Sequence, residues 1–332
     1  MSLRVEDLKV YYNMKRGTCR AVEDISFKIE KGDSVGLVGE SGCGKSTVAF
    51  ALLQMLPFPG EIMDGHIYYN DEDLVEFSEG HMRQFRWKKM SMVFQGAMNA
   101  LNPTIRVSEQ ITEAIRQHEP KVTQKEALER ARDLFNLVGI DPDRVNHYPF
   151  EFSGGMKQRS MIVMALACNP EFVIADEPTT ALDVTVQAQI MELLRKLADE
   201  LGITLMLITH DLSVVAETCR KVIIMYAGKI VETGTIFDIF DNPRHPYSQG
   251  LIASIPSIEK SHDQTLASIP GQPPNLLDPP PGCRFHPRCE YAQDICRAED
   301  PPLENIREEH FVACHLSSGR ITDARYNPNR KY

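Results

Sequence analysis

Gly39-Glu40-Ser41-Gly42-Cys43-Gly44-Lys45-Ser46-Thr47 stands between an apolar run, Val35-Gly36-Leu37-Val38, and a helical pattern over Thr47–Leu56. Glycines at this spacing let successive backbone N–H groups converge on one anion, and the helix N-terminus adds positive partial charge. Lys45 is placed to reach β- and γ-phosphate oxygens, and the Ser46 hydroxyl suits Mg²⁺. Gly39, Ser41, Gly42, Cys43, Gly44, Lys45, Ser46 and Thr47 are therefore the candidate phosphate ligands of a bound nucleotide. A strand before and a helix after separate this pattern from a chance glycine-rich turn.

Further along, Phe172-Val173-Ile174-Ala175-Asp176-Glu177 reads as a buried strand ending in two acids. Asp176 suits a hold on Mg²⁺, and Glu177, one residue on, can reach a lytic water as general base. The competing reading, two solvated loop carboxylates, loses weight once a phosphate loop is present, because hydrolysis needs a second acidic element. Ser153-Gly154-Gly155 opens a strong helical pattern, and a Ser cap followed by glycines exposes several N–H groups, which makes a second anion site. Ser34–Val38, Met90–Phe94, Phe172–Ala175, Thr204–Ile208 and Val222–Met225 are short apolar runs alternating with helical patterns. Such continuous apolar strands predict an α/β fold with a largely parallel, buried sheet. Between Gly96 and Cys168 the pattern turns helical, Lys125–Leu137 being the most amphipathic stretch.

The 332 residues carry 36 Lys+Arg against 46 Asp+Glu, a net charge of −10, which argues against a protein built to hold nucleic acid. No apolar run approaches the roughly 18 residues needed to cross a bilayer. The first ten residues, with Arg4, Glu6, Asp7 and Lys9, lack a signal-peptide core, so a soluble, cytoplasmic chain is expected. Thirteen of the 21 prolines fall in the last 92 residues, which places a boundary near Asp241 and predicts a tail that does not continue a regular sheet.

In order along the chain stand Gln95 at the end of a strand, Ser153-Gly154-Gly155, Asp176-Glu177, Ala181-Leu182-Asp183 and Ile208-Thr209-His210-Asp211. From Leu3 to about Phe240 this order resembles the ATP-binding-cassette family of transport ATPases. The resemblance implies a P-loop nucleotide-binding domain over 1–240, with a helical subdomain at about 96–168, binding ATP and Mg²⁺. It implies that Ser153-Gly154-Gly155 binds the γ-phosphate of ATP held by a second cassette, and that Gln95 senses Mg²⁺ and γ-phosphate. It further implies that His210 stabilises the transition state and that Asp183 lies in the loop linking two sites. An aromatic near the N-terminus stacks on adenine in that family, and Tyr12 fits better than Tyr11; a pair of tyrosines on an edge strand is the plainer reading. Two departures stand out. Phe152 replaces the family's leading leucine, and Gly96 follows Gln95 where relatives often carry an acid. With Glu177 and His210 both present, a catalytically competent cassette is expected.

Met98-Asn99-Ala100-Leu101-Asn102-Pro103 and Asn242-Pro243-Arg244-His245-Pro246-Tyr247 are similar to segments of the oligopeptide/dipeptide importer ATPases. That group also includes importers of nickel, glutathione and oligosaccharides. It implies two transmembrane permease subunits, a second ATPase and an extracytoplasmic solute-binding protein as partners, with this chain peripheral on the cytoplasmic face of the membrane. Met98–Pro103 would touch the permeases. A soluble cassette ATPase of DNA repair or translation fits less well, for want of a second cassette, a heptad run or a basic arm. The tail segment, rich in aromatic residues and proline, suggests a packed strap over the cassette.

The 241–332 extension holds Cys283, Cys289, Cys296 and Cys314, spaced x5, x6 and x17, with His286, His310 and His315 nearby. Disulfides are disfavoured in a reducing cytosol. Tight C-x₂₋₄-C knuckles of structural zinc sites are missing, which leaves zinc as the alternative to a [4Fe–4S] cluster held by all four thiolates. Similar cysteines recur in the tails of peptide-importer ATPases.

Overall fold

A computed structural model describes residues 2–96, 100–180, 182–255 and 268–327. The chain divides into two compact units, one built from Glu30–Ser34 and Glu76–Ile208, the other from Ser2–Ile29, Val35–Val75 and Thr209–Tyr332.

In the first unit, strands Met90–Val93, Phe172–Asp176 and Thr204–Thr209 run parallel in that order, with Met90 opposite Phe172 and Phe172 opposite Thr204. Every residue of all three is buried. That explains why they read as unbroken apolar runs: a parallel strand covered on both faces has no polar side. Helices Val107–His118, Gln124–Leu137 and Gly154–Leu166 form the expected helical stretch. Thr123 and Glu126 close a capping box on the second of these: the Thr123 side chain accepts from Glu126 N (3.3 Å), and Glu126 accepts from Thr123 N (2.8 Å). Arg130, on helix Gln124–Leu137, ties to Glu119, just past the end of helix Val107–His118, by a two-armed pair at 2.6 and 3.0 Å.

The second unit holds an antiparallel sheet that the apolar-run pattern does not announce, in the order Gly17–Glu30, Ser2–Met14, Gly60–Tyr69, Glu72–Asp73. Its inward residues, Leu3, Val5, Leu8 and Val10, break strict alternation by one position. The extra residue is taken up at Asp7, which has φ 49°, and the register to Gly60–Tyr69 shifts between Glu6 and Lys9. A bulge of this kind lets one face stay buried across the break. The same unit carries strand Ser34–Val38 parallel to Lys221–Tyr226, and Lys221–Tyr226 antiparallel to Lys229–Thr235.

One sequence expectation is corrected. The tail does continue a sheet: His310–Val312 pairs with Lys229–Thr235, Val312 opposite Glu232, and Glu304–Arg307 adds beyond it. The prolines stop at Pro302 and resume at Pro328, so the intervening stretch keeps its amide donors. The junction is reinforced from within. Glu232, fully buried, accepts from Arg244 N (2.7 Å), His245 N (2.9 Å) and the ring of His310 (2.8 Å). His310 is thus committed to Glu232, whereas His286 and His315 line the cavity that the four tail cysteines also line.

Gly36, in the strand leading to the phosphate loop, is required by close packing: a Cβ there would lie 2.3 Å from Cγ1 of Val215 on helix Leu212–Thr218. Gly36→Ala is expected to destabilise the protein by about 1–3 kcal/mol. Adding Val215→Ala to it should cost less than the two single changes combined, measured by denaturant unfolding. A Gly36→Ala protein as stable as the parent would refute this packing.

Candidate active site

The phosphate loop belongs to the second unit. Its last glycine, Gly44, precedes helix Lys45–Leu52 in a left-handed conformation (φ 106°) and offers no side-chain cap. The first-turn amides are therefore left for a ligand, as an anion site requires. A Cβ on Gly44 would also fall 2.2 Å from the carbonyl oxygen of Ala21. Lys45 is only 6% exposed, and its ammonium donates to the carbonyls of Gly39 (2.7 Å) and Glu40 (3.1 Å). An ammonium held by carbonyl oxygens can turn to phosphate oxygens when they arrive. Tyr12, on strand Ser2–Met14, lies with its hydroxyl 3.5 Å from Oγ1 of Thr47, while Tyr11 donates to Glu23 (2.6 Å). Burial and that carboxylate push the Tyr11 hydroxyl up to about 12. The strand's alternation thus puts Tyr12, not Tyr11, beside the phosphate-loop helix. His210, exposed, follows strand Thr204–Thr209, and Asp211 next to it caps helix Leu212–Thr218 through Ser213 N (2.8 Å).

The acidic pair belongs to the first unit. Asp176, 2% exposed, ends its strand, and Glu177 turns out of it with φ 42°, a backbone state that costs a non-glycine residue energy and tends to occur at functional sites. Glu177 is held there: its N–H donates to the carbonyl of Ile208 (2.9 Å), and its carboxylate accepts from Gln95 (2.6 Å) and Thr180 (3.2 Å). Two residues 82 positions apart, both singled out from sequence, therefore meet. Ser153 caps helix Gly154–Leu166, accepting from Met156 N at 3.3 Å, and stays exposed. A Cβ on Gly155 would be 3.0 Å from Val186, on the helix Val184–Leu201 that Asp183 caps through the same Val186 (3.0 Å). Asp183 thus has a local structural task whatever else it does. Ala181 beside it, and Met98 and Asn99 of the segment Met98–Pro103, lie outside the described residues.

Sequence reasoning missed what surrounds Glu40. Tyr247, fully buried, accepts from Glu40 N at 3.0 Å, and Arg288 grips the Glu40 carboxylate with both arms (2.6 and 3.0 Å). Tyr226, Tyr247 and Phe285 pack as one aromatic group, ring centroids 4.7–5.4 Å apart. Arg284 reaches Glu23 at 3.1 Å and the carbonyl of Ala227. The tail is thus the packed strap its aromatic residues suggest. Arg284 and Arg288 lie between Cys283 and Cys289, so the only sequence signal was proximity to cysteines.

Cys283, Cys289, Cys296 and Cys314 border one small cavity whose walls include Phe285, Tyr291, Leu316 and Ile321. Burial pushes the Cys283 and Cys289 thiols up to about 12 and raises that of Cys314. None of the four is in a disulfide. Among the described residues, no three His, Cys, Asp or Glu side chains are grouped to hold a single metal ion. The donor set is four soft sulfur atoms bordering one cavity.

A phosphate loop on a parallel strand, an acidic strand end and a glycine-opened helix define the class: an ATP-binding cassette, an ATPase. The ABC transporter family profile matches residues 22–180, and that of the oligopeptide/dipeptide transporter C-terminal region matches 231–296. The chain is 47% identical over 317 residues to the oligopeptide transport ATP-binding protein OppD of Bacillus subtilis, covering 95% of this chain and 88% of that one. It is 46% identical over 327 residues to the dipeptide transport ATP-binding protein DppD of Escherichia coli, covering 96% and 99%. Among solved structures, a dimeric ATP-binding cassette bound to ADP and Pi matches with TM-score 0.63 and 27% identity, over 70% of this chain and 98% of that one. The cbiO1 subunit of a Clostridium perfringens ABC transporter complex matches with TM-score 0.62 and 28% identity, over 72% and 90%. The chain belongs to the ABC transporter family, among the oligopeptide and dipeptide transport ATP-binding proteins.

Proposed function

We propose that this chain energises the import of di- and oligopeptides, hydrolysing ATP at the cytoplasmic face of a membrane. The observation that carries this reading is identity of 46–47% to peptide-transport ATPases over at least 95% of the chain, tail included. That span leaves nickel, glutathione, oligosaccharide or DNA-repair roles without a supporting observation. Among the described residues no helix is long and apolar enough to cross a membrane. In this reading the chain sits on two permease subunits, pairs with a second ATPase and serves a solute-binding protein outside the membrane.

The chemistry follows from the side chains. The loop amides of Gly42–Thr47 and the Lys45 ammonium bind the β- and γ-phosphates, and Tyr12 stacks on the adenine. Ser46, Gln95 and Asp176 would hold Mg²⁺, which when bound would supply charge neutralisation at the phosphates. Glu177 takes the proton of the attacking water at its carboxylate, and His210 stabilises charge on the transferred phosphoryl group. Gln95, 2.6 Å from Glu177, keeps that carboxylate oriented. Ser153, Gly154 and Gly155 present their N–H groups to the γ-phosphate on a second cassette, with Asp183 linking the two sites. ATP then closes the pair.

Glu177→Gln is expected to keep ATP binding and to lower turnover by on the order of 10²-fold or more, measured as phosphate release. With Mg-ATP and its partner ATPase, the same variant should accumulate as a dimer by size-exclusion chromatography, and Ser153→Arg should abolish that shift. Near-normal turnover in Glu177→Gln would remove the general base.

The four cysteines are proposed to hold a [4Fe–4S] cluster that orders the tail, distinct from the hydrolytic chemistry. The support is the donor set: four free thiols around one apolar-walled cavity. Anaerobically purified protein should be brown, with broad absorption around ~400 nm that Cys289→Ser removes. Colourless protein with one zinc per chain by metal analysis would replace the cluster with zinc.

A further inference from the structure

Glu40 is the second residue of the phosphate loop, and its polar groups are engaged on three sides. Its carbonyl accepts from Lys45 (3.1 Å) and from Cys43 N (3.2 Å) within the loop. The other two holds come from outside the loop and far along the chain: the Tyr247 hydroxyl on its N–H, and the Arg288 guanidinium on its carboxylate. Arg288 is itself fixed. Its side chain is 5% exposed, and it donates to the carbonyls of Pro270 (2.8 Å) and Ile269 (3.3 Å) and to the hydroxyl of Tyr226 (3.3 Å). Glu40 is 27% exposed, so the pair lies at the edge of solvent, with the arginine as the buried, immobile partner.

A carboxylate is an odd residue to build into a loop that must receive a polyanion. Alone, its charge would repel the phosphates, and a freely rotating side chain would leave the loop backbone less ordered before binding. A fork-to-fork pair with a rigid arginine removes both costs, cancelling the charge and fixing the loop in advance. We propose that Arg288 is a positioning residue for nucleotide binding: by neutralising and holding Glu40 it sets the affinity of the phosphate loop. The C-terminal extension then acts on the cassette's ground state, because the side-chain hydrogen bonds of Arg288 go to Glu40, Tyr226 and the carbonyls of Ile269 and Pro270. Coupling of this kind is reciprocal, so nucleotide in the loop steadies the segment that carries Arg288 and the neighbouring Cys289.

This inference rests on the phosphate-loop reading, and the experiment separates the two. Kd for ATP and ADP is measured by fluorescent-analogue displacement on the full chain for the parent, Lys45→Ala, Arg288→Ala, Glu40→Gln and the Glu40→Gln/Arg288→Ala double variant. Lys45→Ala should lose binding; if it binds normally, the loop reading itself fails. Arg288→Ala should weaken both nucleotides about tenfold by leaving the Glu40 charge unpaired, while kcat at saturating ATP stays within about twofold. In the Glu40→Gln background the same arginine change should cost less than about twofold, since there is no charge left to cancel. An unchanged Kd in Arg288→Ala, or an equal loss in both backgrounds, overturns the proposal: the arginine would then be only a structural staple. Should Arg288→Ala fail to fold, Arg288→Gln, which keeps a polar side chain with two N–H donors but no charge, is read by the same cycle.

Discussion

Backbone amides aimed at an anion cannot bond to one another, and the remainder of this protein is arranged around that constraint. In the turn from Gly39 to Lys45 the N–H groups of Glu40 and Cys43 are bonded within the protein, and much of what fixes the turn's shape acts through carbonyls and side chains. Lys45 bridges the carbonyls of Gly39 and Glu40, and the carbonyl of Cys43 accepts from Gly228 N at 2.8 Å. Tyr247 and Arg288 hold Glu40. Much of this support comes from residues beyond 225, which gives the C-terminal segment a physical reason to stay packed.

The acidic strand end shows the same economy of means. Asp176 continues its strand and remains buried, whereas Glu177 leaves it in a left-handed conformation that only surrounding bonds sustain. The Ile208 carbonyl fixes its backbone, and Gln95 and Thr180 fix its carboxylate. Adjacent acids thereby acquire different surroundings, one enclosed at the strand's end and one held outside it by its own hydrogen bonds.

In the tail, prolines and cysteines mislead when read by themselves. Prolines crowd the segment, yet Leu303–Asn327 contains none, and that stretch pairs with Lys229–Thr235 through His310–Val312. His310 looked like a companion of the cysteines but is the buried partner of Glu232. The cysteines border one cavity because Phe285, Tyr291, Leu316 and Ile321 wall it, a convergence set by packing among residues up to 38 positions apart.

By itself the sequence determined the parts that depend on local order: the phosphate loop from its glycine spacing and the parallel strands from unbroken apolar runs, while resemblance to the cassette family singled out Tyr12 over Tyr11. These are legible because neighbours in the chain create them. Only the tertiary structure decided the pairs that cross long separations: Gln95 with Glu177, Glu232 with His310, and Glu40 with Arg288, 248 positions away. A charge pair between remote residues leaves no periodicity or spacing in a single sequence, since either residue alone reads as an ordinary surface charge until folding buries one and turns it on the other.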